Sequence, residues 1–323
     1  MKRFTRRGAM ALMGSLAMAS AIPAMAQTAF PNRPIKLVVP YPAGGATDTL
    51  ARMVAEKLQQ SWQQPVVVEN RAGAGGTIGA NLVARANPDG HTVLFTIVAL
   101  IQQITLMNLP YDPIKDFAPI TRVAVSPSVL AIPQHIPAKN LQEFVRFVKS
   151  EPNKHSFGSF GVGTSSHLQG SLLNMQAGLD LIHIPYQGAA PLIAAMLGGH
   201  LSSAFLDAGS SRPHLPKFTL LGVTGTERLS WLPEVPTLKE QGLHSFEPMG
   251  WFGIFLPAAT PKPIVDKFSA ELQRILQMSD VRERIEGMGL IPSGESQESF
   301  AKVIKSDAEV YARIIREAKI SLN

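Results

Sequence analysis

The sequence predicts an α/β protein of two lobes, each a parallel or mixed sheet flanked by helices, with a ligand cleft at the hinge. Three observations lead there. Short β-branched runs alternate with helical patterns, the signature of βαβ units. Glycine-rich turns join strand to helix at three places. The 323-residue chain also exceeds what one hydrophobic core usually supports.

Ile35–Val39 reads as a strand. After a Gly-rich turn, Asp48–Trp62 reads as a helix with Leu50, Met53, Val54, Lys57 and Leu58 on one stripe. Pro65–Glu69 is the next strand, Gly76–Ala86 the next helix and His91–Val98 a strand again. In the second half, Ser128–Ile132 is a strand, and Asn140 caps a helix whose apolar face is Leu141, Phe144, Val145 and Val148. Strand Ser156–Phe160, helix Ser165–Ala177, strand Leu181–Ile184, helix Pro191–Leu197 and strands Leu201–Leu206 and Phe218–Val223 follow. Gly253–Leu256 reads as a returning strand, and helices Pro263–Met278 and Glu298–Lys319 close the chain. Crossings at Ile120–Pro127 and Pro248–Phe252 divide the chain into lobe 1, residues 27–124 plus 252–323, and lobe 2, residues 125–251.

The first 26 residues are set apart as a signal peptide. Lys2, Arg3, Arg6 and Arg7 form a basic start, Ala9 to Pro23 is apolar, and Ala24-Met25-Ala26 supplies a small-x-small cleavage pattern after about Ala26. The apolar run falls short of the roughly 20 residues a spanning helix needs. The expected location is therefore the periplasm. Four of the 30 basic residues lie in this segment, leaving 26 against 24 acidic ones. No basic run follows, so nucleic acid is not an expected partner. The chain has no cysteine, which excludes disulfides, thiolate catalysis and Cys-based metal sites.

Three turns carry the chemistry. In Pro40-Tyr41-Pro42-Ala43-Gly44-Gly45-Ala46-Thr47-Asp48, paired glycines allow close approach of the backbone, and the helix start offers unpaired N–H donors. The helix dipole adds partial positive charge, which suits a carboxylate or phosphate. A tight turn capped by Thr47 or Asp48 is the alternative. The second turn, Asn70 to Gly79, misses a dinucleotide fingerprint by one residue, because Ile78 stands where G-x-G-x-x-G needs glycine. The third, Gly161-Val162-Gly163-Thr164-Ser165-Ser166-His167, again sets glycines and hydroxyls before a helix, so two helix starts could grip the two ends of a dicarboxylate. Ser165 does not form a nucleophile elbow, since His167 occupies the glycine position of G-x-S-x-G, and a core or capping role suits this histidine. There is no Gly-Lys dipeptide for a P-loop and no i,i+4 histidine pair. No catalytic residue, cofactor or metal is expected.

The residues resemble a known family. Val39 to Asp48 and Glu69 to Gly76 are similar to the two opening motifs of the substrate-binding proteins of tripartite tricarboxylate transporters, also called Bug receptors. Leu109-Pro110-Tyr111-Asp112-Pro113, Lys115 to Pro119, Gly161 to Thr164, His183 to Gly188, Leu197-Gly198-Gly199 and Leu232 to Thr237 resemble further blocks, in order along the chain. The resemblance implies a type II-like periplasmic binding protein, not an enzyme, that closes over a small di- or tricarboxylate or another organic acid. It implies membrane permease subunits as transient partners, and a monomer is expected. Carried over by position, it points to Tyr41, Ala43, Gly44, Gly45, Ala46, Thr47 and Asp48 on one lobe. On the other it points to Gly163, Thr164 and Ser165, with Tyr186 and Asp207 as further cleft residues. Two departures stand out. A mostly apolar loop, Ala99-Leu100-Ile101-Gln102-Gln103, replaces a polar one, and Leu206 separates Phe205 from Asp207. Together they suggest a ligand with a larger apolar or aromatic body than citrate, read by Leu100. A periplasmic sensor subunit and an α/β enzyme with a nucleotide loop are the competing readings.

Overall fold

The computed structural model describes residues 30–246 and 249–321; the proposed signal peptide lies outside them. Strands sort into two mixed sheets. The first sheet holds β1 (Ile35–Val39), β2 (Val66–Asn70), β3 (Thr92–Ile97), β4 (Phe117–Ser126), β10 (Gly250–Pro257) and β11 (Ile291–Pro292). The second holds β5 (Ser128–Pro133), β6 (Ser156–Ser159), β7 (Ile182–Pro185), β8 (Ser203–Asp207) and β9 (Phe218–Val223). Their orders are β11-β4-β10-β3-β1-β2 and β7-β6-β8-β5-β9.

Each sheet has a parallel part built by βαβ units and an antiparallel part. β1 runs parallel to β2 and β3, while β10 runs antiparallel to β3 and β4. In the second sheet β6 is parallel to β7 and β8, and β5 is antiparallel to β8 and β9. Helices α1 (Ala46–Trp62), α2 (Thr77–Ala84), α5 (Ser165–Ala177) and α6 (Ala189–Leu197) are the crossovers, and α4 (Leu141–Ser150) joins the antiparallel strands β5 and β6. Asn140 caps α4 as its sequence implies, its side chain accepting from the Glu143 N–H at 2.9 Å.

Three elements depart from the sequence reading. Residues 99–103 are no loop but the start of a helix, α3 (Ala99–Leu106). Ala, Leu and Gln are strong helix formers, and no glycine or proline interrupts the run. Ile120–Ser126 is most of β4, a ten-residue strand, so the chain passes to the second sheet only at the end of the expected crossing; Pro119 disguised the strand, because proline is tolerated in a strand chiefly at edges and irregularities. Pro119 pairs with Phe255 at just such a register shift. Only Pro127 then separates β4 from β5. Finally, α8 (Ser279–Gly287) lies between the two closing helices, α7 (Lys262–Leu276) and α9 (Gln297–Glu317).

The apolar faces meet in three clusters. On one side of the first sheet, Leu37 and Phe95 pack under α1 and α7 through Leu50, Val54, Phe268 and Leu272. A cluster with Val129, Leu192, Met196 and Leu206 lies on one side of the second. The third is shared: Leu94 and Trp251 belong to it together with Leu130, Phe144 and Phe205. α9 closes it with Phe300, Tyr311, Ile314 and Ile315. The Phe300 ring meets Trp251 edge-on at 5.3 Å and Phe255 at 5.4 Å. Gly253 makes room for it, since a Cβ there would sit 2.5 Å from that ring. Phe300→Ala should therefore cost about 3–5 kcal/mol of stability, measured as a shift of the urea midpoint with an unchanged slope.

Candidate functional site

The turn before α1 has a defined shape because a buried carboxylate holds it. Gly44 adopts a left-handed backbone, φ +86°, and Gly45 an extended one before the helix begins. Asp48 lies one turn in, its side chain 5% exposed. Its Oδ2 accepts from the Gly44 N–H at 3.0 Å and from Arg52 Nε at 2.9 Å. Its Oδ1 accepts from Asn70 Nδ2 at 3.0 Å, and the same Nδ2 also reaches the Tyr41 carbonyl at 3.1 Å. Arg52's hydrogen bond, helped by those from Gly44 and Asn70, outweighs the opposing effect of burial and holds the Asp48 carboxyl at about 2.

The turn before α5 is tied in a different way, through hydroxyls and an imidazole. Thr164 Oγ1 donates to the Gly161 carbonyl at 2.7 Å, and Ser166 Oγ accepts from the Phe160 N–H at 3.0 Å. His167 Nδ1 accepts from the Gly163 N–H at 3.1 Å, which fixes the proton of the neutral ring on Nε2. The ring stacks on His183 at 3.6 Å with 8° between planes. Burial, and then the neighbouring His183, pull the His167 pKa down to about 4. His183 is lowered by burial as well, and its Nε2 lies 2.7 Å from Ser159 Oγ.

Both turns open onto one cleft of about 960 Å³ between the two sheets. Neither helix N-cap carries a side-chain capping bond, so the first-turn N–H groups have no intrahelical acceptor. Of the residues singled out in the sequence, Tyr41, Gly44, Ala46, Thr47, Gly163, Thr164, Ser165 and Asp207 line the cleft. Ala43, Gly45, Asp48 and Tyr186 do not; Asp48 turns its carboxylate into the turn, and Tyr186 packs against the core beside β5 and β8. Leu100 also lies elsewhere. It is 3% exposed, within the shared cluster, so the expectation that it reads the ligand is corrected. The helical phase of α3 instead presents Gln102, Gln103, Leu106 and Met107. Gln102 Nε2 donates to Ser165 Oγ at 2.8 Å, joining a helix of the first sheet to the α5 start, and Gln103 Nε2 donates to the Gly75 carbonyl at 2.7 Å. The sequence reading placed Gln102 and Gln103 in the ligand-reading stretch but gave the role to Leu100, and it did not name Leu106 or Met107; two adjacent glutamines in an apolar stretch were a usable signal. Trp251 and Phe252 of β10 and Ile97 of β3 add apolar wall. No described lining residue is Lys, Arg or His, and no group of three metal-ligating side chains occurs among the described residues.

Two mixed α/β units around a cleft, with a helix start from each opening into it, form a site suited to a small anionic solute. The comparisons supply the family. The model of the tripartite tricarboxylate transporter family receptor, TctC, matches residues 50–320. The UPF0065 protein in the tcbD-tcbE intergenic region of Pseudomonas sp. (strain P51) is 38% identical over 299 residues, covering 91% of this chain and 89% of that protein. MatC from Rhodopseudomonas palustris, solved with bound malate, has a TM-score of 0.74 at 32% identity, over 88% of this chain and 100% of that one. R. palustris Rpa4515 with adipate has a TM-score of 0.78 at 27% identity, over 91% of this chain and 100% of that one. This chain belongs to the tripartite tricarboxylate transporter receptor family, whose members are periplasmic solute-binding proteins.

Two outcomes follow from the turns. Asp48→Ala leaves three donors without their acceptor and should lower stability by about 2 kcal/mol, seen in a chemical denaturation curve. For His167, the folded ring resists protonation that the unfolded ring accepts, so stability is full above about 6.5 and declines as pH falls toward 4. His167→Gln should flatten that part of a melting-temperature profile recorded from pH 7 to pH 4.

Proposed function

We propose that this receptor captures a small organic acid between its two lobes and delivers it to the membrane subunits of a tripartite transporter. One observation carries the reading: the uncapped starts of α1 and α5 open into the same cleft from different sheets. Backbone N–H groups and the helix dipoles then supply positive potential to a cleft with no Lys, Arg or His among its described lining residues. The amides of Ala46 and Thr47 and of Ser165 and Ser166, which line the cleft, are the donors, with the Thr47, Thr164 and Ser165 hydroxyls beside them. Asp207 completes the polar part of the cleft, while the Tyr41 ring adds to its wall.

The relatives solved with malate and adipate support a carboxylate as the bound group. The apolar wall formed by Ile97, Leu106, Met107, Trp251 and Phe252 supports a ligand with an apolar body. Closure follows from binding. A ligand that bridges both helix starts favours the closed arrangement by its differential affinity, and the Gln102–Ser165 bond adds a direct protein contact to it. In this reading the lobes meet at Pro127 and at the start of β10, and the receptor acts as an exported monomer, freed of its first 26 or so residues, without turnover of its ligand.

A thermal-shift screen of the mature chain against mono-, di- and tricarboxylates, aliphatic and aromatic, tests the reading. At least one carboxylate class should raise the melting temperature, and a flat screen of folded, ligand-free protein would refute it. Ala46→Pro tests the donors themselves. Proline is tolerated at the first helical position, and Gly45 already has the extended backbone that precedes proline. The variant should keep its melting temperature within a few degrees yet lose about tenfold or more in carboxylate affinity by calorimetry, whereas Ala46→Gly should not.

A further inference from the structure

The acid end of the ligand is assigned above to the helix starts; the cleft also carries a group of the opposite kind. Asp207, at the end of β8, is the one Asp or Glu among the described residues that line it. Its Oδ1 accepts from the Ser210 N–H at 2.7 Å, and its Oδ2 accepts from the Ser126 hydroxyl. A carboxylate offers about four acceptor positions, so two remain for a visitor to the cleft.

The surroundings fix what that visitor must be. Ser128, the register partner of Asp207 in β5, also lines the cleft, as does Ser210. No Lys, Arg or His among the described lining residues offsets the acid. Gly209 lies beside it, where a Cβ would sit 3.3 Å from Asp207 Oδ1 and 2.6 Å from the Met288 carbonyl, so the backbone packs closely here. An acceptor-only group pressed against this carboxylate meets a like charge among mostly apolar walls, where repulsion is felt more strongly than in bulk water. A hydroxyl, amide or ammonium meets two open acceptor positions instead.

We infer that the ligand of this receptor is an organic acid with a hydrogen-bond donor at its far end, held by Asp207, and that the cleft selects against a second carboxylate there. This rests on the carboxylate reading of the helix starts and adds the chemistry of the opposite end. It separates this chain from its relatives solved with malate and adipate, both of which carry two carboxylates.

Matched ligands on one body test it. Hexanoate, 6-hydroxyhexanoate, 6-aminohexanoate and adipate form an aliphatic series; benzoate, 4-hydroxybenzoate and terephthalate form an aromatic one. Dissociation constants are measured by calorimetry for the wild-type chain and for Asp207→Asn, with a melting curve of each as a check of folding. In whichever series binds, the wild type should hold a donor-bearing acid at least about tenfold tighter than the diacid. In Asp207→Asn that ratio should fall by about tenfold or more, while the plain monoacid changes by less than about threefold. A wild type that prefers the diacid, or a ratio unmoved by the substitution in folded protein, overturns the inference and leaves the carboxylate reading standing. Failure of every acid to bind folded wild type overturns that reading and this inference together.

Discussion

The Asp48 carboxylate gathers three donors from three parts of the chain: the Gly44 amide before α1, Arg52 one turn further on, and Asn70 at the end of β2. It does not line the cleft. Its effect there is indirect, because the amides at the start of α1 can face a ligand only if the preceding turn is held open. Asn70 extends the same hold to the Tyr41 carbonyl, so the first turn and the end of the neighbouring strand become one rigid piece. The second sheet reaches the same end with neutral groups, using Thr164, Ser166 and the His167 imidazole in place of a buried ion. Two unlike networks thus solve one problem: presenting bare backbone amides at a fixed position without capping them.

The architecture was legible because it rests on periodicity. Helix Ser165–Ala177 and strand Phe218–Val223 lie where their apolar spacing puts them, and most other elements differ by a residue or two at their ends. The failures have local causes. Pro119 hid a strand whose register shift accommodates it, and α3 is so apolar that neither strand alternation nor a helical stripe marks it. Within the site, the glycine turns announced themselves through composition. The face of α3 did not, since which of Leu100 or Gln102 meets the cleft is decided by how α3 packs on α9 and α5. Asp48 was legible as a capping residue, but its reach to Asn70, 22 positions away, was not.

Under the proposed function, an anion is held in a cleft with no Lys, Arg or His among its described lining residues. A lysine or arginine would attract any acid over a long range and would need to be dehydrated on closure. Amides at a helix start carry only partial charge, act within about a turn and are fixed in direction, so geometry counts for more than charge. The apolar walls of Ile97, Trp251 and Phe252 strengthen these weak donors by keeping water out once the lobes meet. In the proposed reading, selectivity falls to the polar group at the remaining end, Asp207.

One residue, Pro127, stands between the last residue of β4 and the first of β5. Two peptide units span about 7 Å at most, so the sheets cannot draw apart along this tether. β10 returns beside β4, with Gly250 paired to Ser126 at the very end of the strand. The two connections therefore share one short seam. In the proposed reading, closure of the cleft is a pivot about this seam, as a book turns on its spine, with the backbone at Ser126 and Gly250 as its fixed edge.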